Sequence, residues 1–98
     1  MLLTVLVRYQ AREGQQDRLR TELEALLEPA AEWPGCLAYE LYVDPNRPER
    51  MAVFEEWSCP DGWEHHRRRS AGRTAGLLAR PAAVRLQYGS CGDHDPAT

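Results

Sequence analysis

The nine residues LLTVLVRYQ, positions 2 to 10, alternate as a strand does but are apolar on both sides: Leu3, Val5, Val7 and Tyr9 share one face, Leu2, Thr4, Leu6 and Arg8 the other. A strand of this kind needs a cover on each side, because side chains alternate across a sheet and apolar area left in water costs free energy on either face. At 98 residues the chain forms one domain with one core, so the second cover has to come from something beyond a single layer of helices.

The rest of the periodicity supplies one layer. After a turn at Glu13 and Gly14, Leu19, Leu23, Leu26, Leu27 and Ala30 follow the 3.6-residue helical period, with Arg18, Arg20, Glu22, Glu24 and Glu28 opposite. Pro34 and Gly35 end that helix. A second strand follows over Cys36 to Asp44, with Leu37, Tyr39, Leu41 and Val43 on one face and Ala38, Glu40 and Tyr42 on the other. The link DPNRPER at 44 to 50 is turn-forming, and Met51 to Trp57 makes a third strand, antiparallel to the second. Ser58 and Asp61 fit a capping box and Pro60 a first helical turn, so a helix starts there and carries Trp63 and His66 until Gly72 interrupts it. A further turn through Leu77 and Leu78 precedes Pro81, and Ala83 to Tyr88 is a fourth strand. The order β-α-β-β-α-β predicts a ferredoxin-like α+β fold over residues 1–89, a four-stranded antiparallel sheet with helices on one face. A mobile tail over 90–98 completes the chain. The helix-free face calls for a second copy of the chain, and we therefore expect a homodimer.

Several function classes are disfavoured by composition. A formal net charge of -3, with a basic run of only Arg67 to Arg69, offers no footprint for nucleic acid. The apolar start, broken by Thr4 and followed by Arg8, is neither a signal peptide nor a membrane span. Three widely spaced cysteines, Cys36, Cys59 and Cys91, make neither a disulfide framework nor a zinc signature, and a reducing cytoplasm fits them best.

The candidate chemistry lies in residues 55 to 66, EEWSCPDGWEHH. His66, three residues beyond Trp63 and four before Ser70, shares their helix face and points inward, either as a general base or as a space-filling imidazole with one hydrogen bond. His65 faces solvent with Arg68 and Arg69. The adjacent pair does not suit a metal, because useful helical pairs are three or four apart. His94 lies in the tail. Glu55 shares a strand face with Met51, Val53 and Trp57, where a carboxylate needs a partner: an arginine such as Arg8 across a dimer is one reading, acid-base work the other. Tyr9, Tyr39 and Tyr42 suit either a phenolic ligand or a dimer interface.

With this strand order, VRYQAREG (7 to 14), GCLAYELYVDPNRPER (35 to 50) and FEEWSCPDGWEHH (54 to 66) resemble the antibiotic biosynthesis monooxygenase-like family, from about Leu3 to Tyr88. The most specific part is E-x-W followed nine residues later by His: Glu55, Trp57 and His66. The resemblance implies a dimeric α+β barrel that oxidises a small phenolic, quinol-like or anthrone-like aromatic with O2 and no cofactor, the substrate supplying the electrons. It makes His66 the base or proton shuttle, with Trp57 and Trp63 shaping the pocket, Val7 on its floor, and Tyr9 and Ser70 binding substrate. Some relatives carry a second histidine where Ser70 stands, so a two-imidazole relay is missing. A haem-degrading branch uses an Asn, a Trp and a His at positions held here by Val7, His66 and Gly76, which removes that reading. A non-catalytic module for a small aromatic ligand, or an isomerase or cyclase on the same fold, are the rival functions.

Overall fold

A computed structural model describes residues 2–89; the tail at 90–98, with Cys91 and His94, lies outside the described residues. Strand β1 (Leu2–Gln10) is followed by helices α1 (Gln16–Glu24) and α2 (Leu27–Ala31), strands β2 (Cys36–Val43) and β3 (Arg50–Trp57), helix α3 (Pro60–Thr74) with a closing 3-10 turn (Ala75–Leu77), and strand β4 (Ala83–Gly89). The sheet order is β2-β3-β1-β4 and every neighbouring pair is antiparallel. This is the expected ferredoxin-like α+β fold. Among the described residues no helix is long and apolar enough to cross a membrane.

The alternation of β1 sets the core. Leu3, Val5, Val7 and Tyr9 are buried and meet Trp57, Glu55, Val53 and Met51 of β3 in register. Leu19, Leu23, Leu26 and Trp63 close over them from the helices. On the other face Leu2, Thr4 and Leu6 are only half-buried, so β1 is covered on one side within a single chain. Edge strand β4 is exposed along its whole length, and Val84, Leu86 and Tyr88 stand open on the helix side.

Four local expectations are corrected. The first helix is two segments: Pro29 lacks the N–H that would reach the carbonyl of Ala25, and its ring crowds that carbonyl, so the helix breaks at Ala25 and Leu26. Gly72 does not interrupt α3, which runs on to Thr74; the roughly 1 kcal/mol that glycine costs in a helix is outweighed by the buried Trp63, His66, Ser70 and Thr74 along one face. Nor does Ser58 cap α3. The cap position is Cys59, without a side-chain cap bond, while the Ser58 hydroxyl donates to the Gly35 carbonyl at 3.3 Å. Finally, Leu37 is 58% exposed, because a bulge between Cys36 and Ala38 inserts it as an extra residue opposite β3 and turns it away from Tyr39.

Candidate functional site

A cavity of about 540 Å³ lies between the helix side of the sheet and α3. Val7, Tyr9 and Glu55 form its floor, Trp63, Ser70 and Thr74 one wall, and the connection 78–82 with Val84 the other. Each side chain is aimed by its element: positions 7 and 9 of β1 and 55 of β3 point to the same face by the two-residue period, while 63, 70 and 74 of α3 recur at helical spacing. Arg67 reaches the rim, its guanidinium 5.6 Å from the centroid of Trp63 and paired with Glu64.

Glu55 is the buried carboxyl of that floor. It is 3% exposed, and its Oε1 accepts the Trp57 Nε1–H at 2.8 Å. Among the described residues no arginine of the same chain pairs with it, Arg8 of this chain being exposed on the far face of the sheet. Burial pushes the carboxyl up to about 7, with the indole bond pulling the other way. A carboxyl in that range holds or releases a proton near neutral pH, as acid-base work requires. Beside it, burial and then the charge of Glu55 push the Tyr9 phenol up to about 12, with neighbouring Ser70 pulling the other way. Tyr9 is therefore a neutral donor at any physiological pH.

Of the residues picked out by sequence, the structure brings Val7, Tyr9, Trp63 and Ser70 into the cavity lining together with Glu55, while His66 and Trp57 stand behind it. His66 is buried and its Nε2 lies 3.0 Å from the Tyr39 hydroxyl. Its ring meets Tyr39 edge-on at 4.9 Å and Trp57 at 5.8 Å. Burial first, then the charges of Arg69 and His65, bring its pKa down to about 4, so the imidazole is neutral. Burial and Glu55 also raise the Tyr39 phenol. His66, Trp57 and Glu55 thus form a contiguous row, in which the imidazole packs on the indole that bonds the carboxyl. His65 is exposed as expected, and stacks on Trp33 at 4.4 Å.

Tyr39 as the partner of His66, and Thr74, Arg67 and Arg80 as lining, escaped sequence reasoning. Thr74 was signalled by its spacing of four from Ser70 on the Trp63 face. Arg80 carried no signal, because the connection 78–82 has no period.

Known proteins agree with this architecture. A family model described as antibiotic biosynthesis monooxygenase matches residues 2–75. Rv0793 from Mycobacterium tuberculosis has a similar structure, with a TM-score of 0.82 at 23% identity, covering 95% of this chain and 99% of that one. PA3566 from Pseudomonas aeruginosa is similar with a TM-score of 0.80 at 25% identity, over 92% of this chain and 95% of that one. A structure described as an antibiotic biosynthesis monooxygenase is similar at 22% identity, with a TM-score of 0.78, over 90% of this chain and 98% of that one. Among curated proteins none matches the chain significantly.

Proposed function

The chain belongs to the antibiotic biosynthesis monooxygenase family, and from that premise we propose that its cavity binds a small phenolic, quinol-like or anthrone-like aromatic and oxidises it with O2 without a cofactor. The observation that carries this reading is Glu55, a buried carboxyl poised at about 7 on the floor of a cavity walled by Val7, Tyr9 and Trp63. A volume of about 540 Å³ suits a ligand of one to three fused rings.

For an anthrone-type substrate, Glu55 takes a proton from the ring methylene, leaving an electron-rich anion. The anion reduces O2 and a C–O bond forms, giving a hydroperoxide once the proton returns. Loss of the second methylene proton then breaks the O–O bond: the carbon becomes a carbonyl, and hydroxide leaves as water with a proton from the carboxyl. One oxygen atom ends in product and one in water. Tyr9, held neutral, donates to the developing oxyanion. His66, the base that the family resemblance implied, acts in this reading through its neighbours: bonded to Tyr39 and packed on Trp57, it fixes the indole that aims Glu55.

Oxygen uptake on a panel of hydroquinones and anthrones, with chelator present, tests the reading. Wild type is expected to consume O2 above autoxidation, with a loss on the order of a hundredfold in Glu55→Gln and a smaller loss in His66→Gln. The reverse ranking returns the base to His66. Folded protein with no uptake indicates a binding module, and product formed without oxygen an isomerase or cyclase.

A further inference from the structure

The two carboxyl oxygens of Glu55 have different surroundings. Oε1 accepts the Trp57 Nε1–H at 2.8 Å. Oε2 has no donor among the described residues, yet no buried side-chain oxygen or nitrogen there lacks a partner, so Oε2 is not sealed in the core. It opens on the cavity whose floor Glu55 helps to form.

The difference follows from the strand. Residues 55 and 57 are two apart on β3, so both side chains stand on the helix side of the sheet and the indole meets the carboxyl along the strand. The indole is itself held from three elements. Trp57 is fully buried, faces Leu3 of β1 and Cys36 of β2 in register, and carries His66 of α3 packed on its ring. An indole N–H donates and has no capacity to accept. A hydroxyl oxygen is a poorer acceptor than a carbonyl or carboxylate oxygen, so the bond favours a bare Oε1 whether the carboxyl is charged or neutral.

No other group near the carboxyl makes that choice. The titratable neighbours are Tyr9 of β1, Cys36 and Tyr39 of β2, and His66 of α3 beyond the indole. Burial raises the two phenols and the thiol and lowers the imidazole, so all four are neutral where the carboxyl titrates. Of the two arginines that line the cavity, Arg67 is paired with Glu64, and neither Arg67 nor Arg80 pairs with Glu55.

We propose that Trp57 is a positioning residue: by occupying Oε1 it confines the proton to Oε2, the oxygen that faces a bound ligand. A carboxyl free to protonate on either oxygen would present the wrong one for part of the time, and the indole removes that choice. The same bond favours the ionised form, against burial. The proposal rests on the reading of Glu55 as the base, and adds which of its atoms works and what selects that atom.

The test reads the indole directly and needs no substrate. In 1H–15N spectra of the intact protein, the Trp57 N–H is assigned by its loss in Trp57→Phe. Its signal is expected to titrate with a midpoint at about pH 7, to stop titrating in Glu55→Gln, and to stay protected from solvent exchange on both sides of the midpoint. Replacing Trp57 by 3-benzothienylalanine keeps the shape of the ring and removes the N–H. The Glu55 titration, followed at its 13C-labelled carboxyl, is then expected to move up by about one to two pH units. A packing role alone leaves that midpoint in place. An N–H that loses its protection as pH falls through the midpoint puts the proton on Oε1 and overturns the proposal. So does a Trp57 signal indifferent to pH, or an unmoved carboxyl midpoint in the isostere. The expected spectra in a protein that consumes no O2 with any quinol or anthrone leave the choice of oxygen standing and remove the oxygenase reading alone.

Discussion

Glu55 and His66 lie on either side of the Trp57 indole and titrate against each other. The folded chain holds Glu55 up to about 7, above the ordinary carboxyl. Its contribution to stability is therefore complete below about pH 4.5 and is lost as pH rises through 7. His66 is held down to about 4, below the ordinary imidazole, so its contribution is present above about pH 6.5 and is lost as pH falls through 4. Each is worth roughly 3 kcal/mol, and between pH 4.5 and 6.5 the two slopes have opposite sign. Urea titrations across that range are expected to show nearly constant stability for wild type. Glu55→Gln should lose roughly 3 kcal/mol towards acid, and His66→Gln should gain a similar amount. Flat profiles in both variants would mean that neither group is perturbed by burial. The inward direction of His66, and of Glu55 beside Trp57, was legible from strand and helix periods. The Tyr39 bond to His66 was not, because it joins residues 27 apart in the chain that no local pattern relates.

At the scale of elements, two glycines with equally open surroundings behave oppositely. An added Cβ meets nothing within 4 Å at Gly72 or at Gly14, but Gly72 lies inside α3 while Gly14 has φ +81 in the turn before α1. Gly72→Ala is expected to raise stability by about 0.5–1 kcal/mol through helix propensity, and Gly14→Ala to lower it by about 1 kcal/mol through left-handed strain. The urea midpoints of the two variants check the signs. The strands β1 and β3 and the existence and order of the helices could be read from their periods, since each buries one face against the same core. The irregularities could not. The bulge at Leu37 looks like unbroken alternation in sequence, and the break at Ala25 is caused by a proline four residues later, within a run whose apolar spacing continues to Ala30.

For the whole molecule, the helix-free face of the sheet sets the main expectation. Leu2, Leu6 and Phe54 are half-buried there with no helix above them, and this patch lies towards the opposite end of β1 from Arg8 and Arg50. We propose that a second copy of the chain covers it. Sedimentation should find a dimer in wild type and a folded monomer in Phe54→Lys; a wild-type monomer at micromolar concentration would leave the patch without that cover. The need for a cover was legible in the two-sided strand of residues 2–10, while the cavity was legible only in part, through Val7, Tyr9, Trp63 and Ser70, since another of its walls is the aperiodic connection 78–82. That wall also divides labour along the chain. Apart from Val7, Tyr9 and Glu55, the lining of the cavity comes from residues 63–84, and nothing between positions 10 and 54 touches it. Descendants of this sequence can therefore rework the exposed faces of helices α1 and α2 and the turn between β2 and β3 for expression or assembly, while a change of ligand is written in one contiguous stretch, residues 63–84, where a handful of substitutions reshapes the chamber.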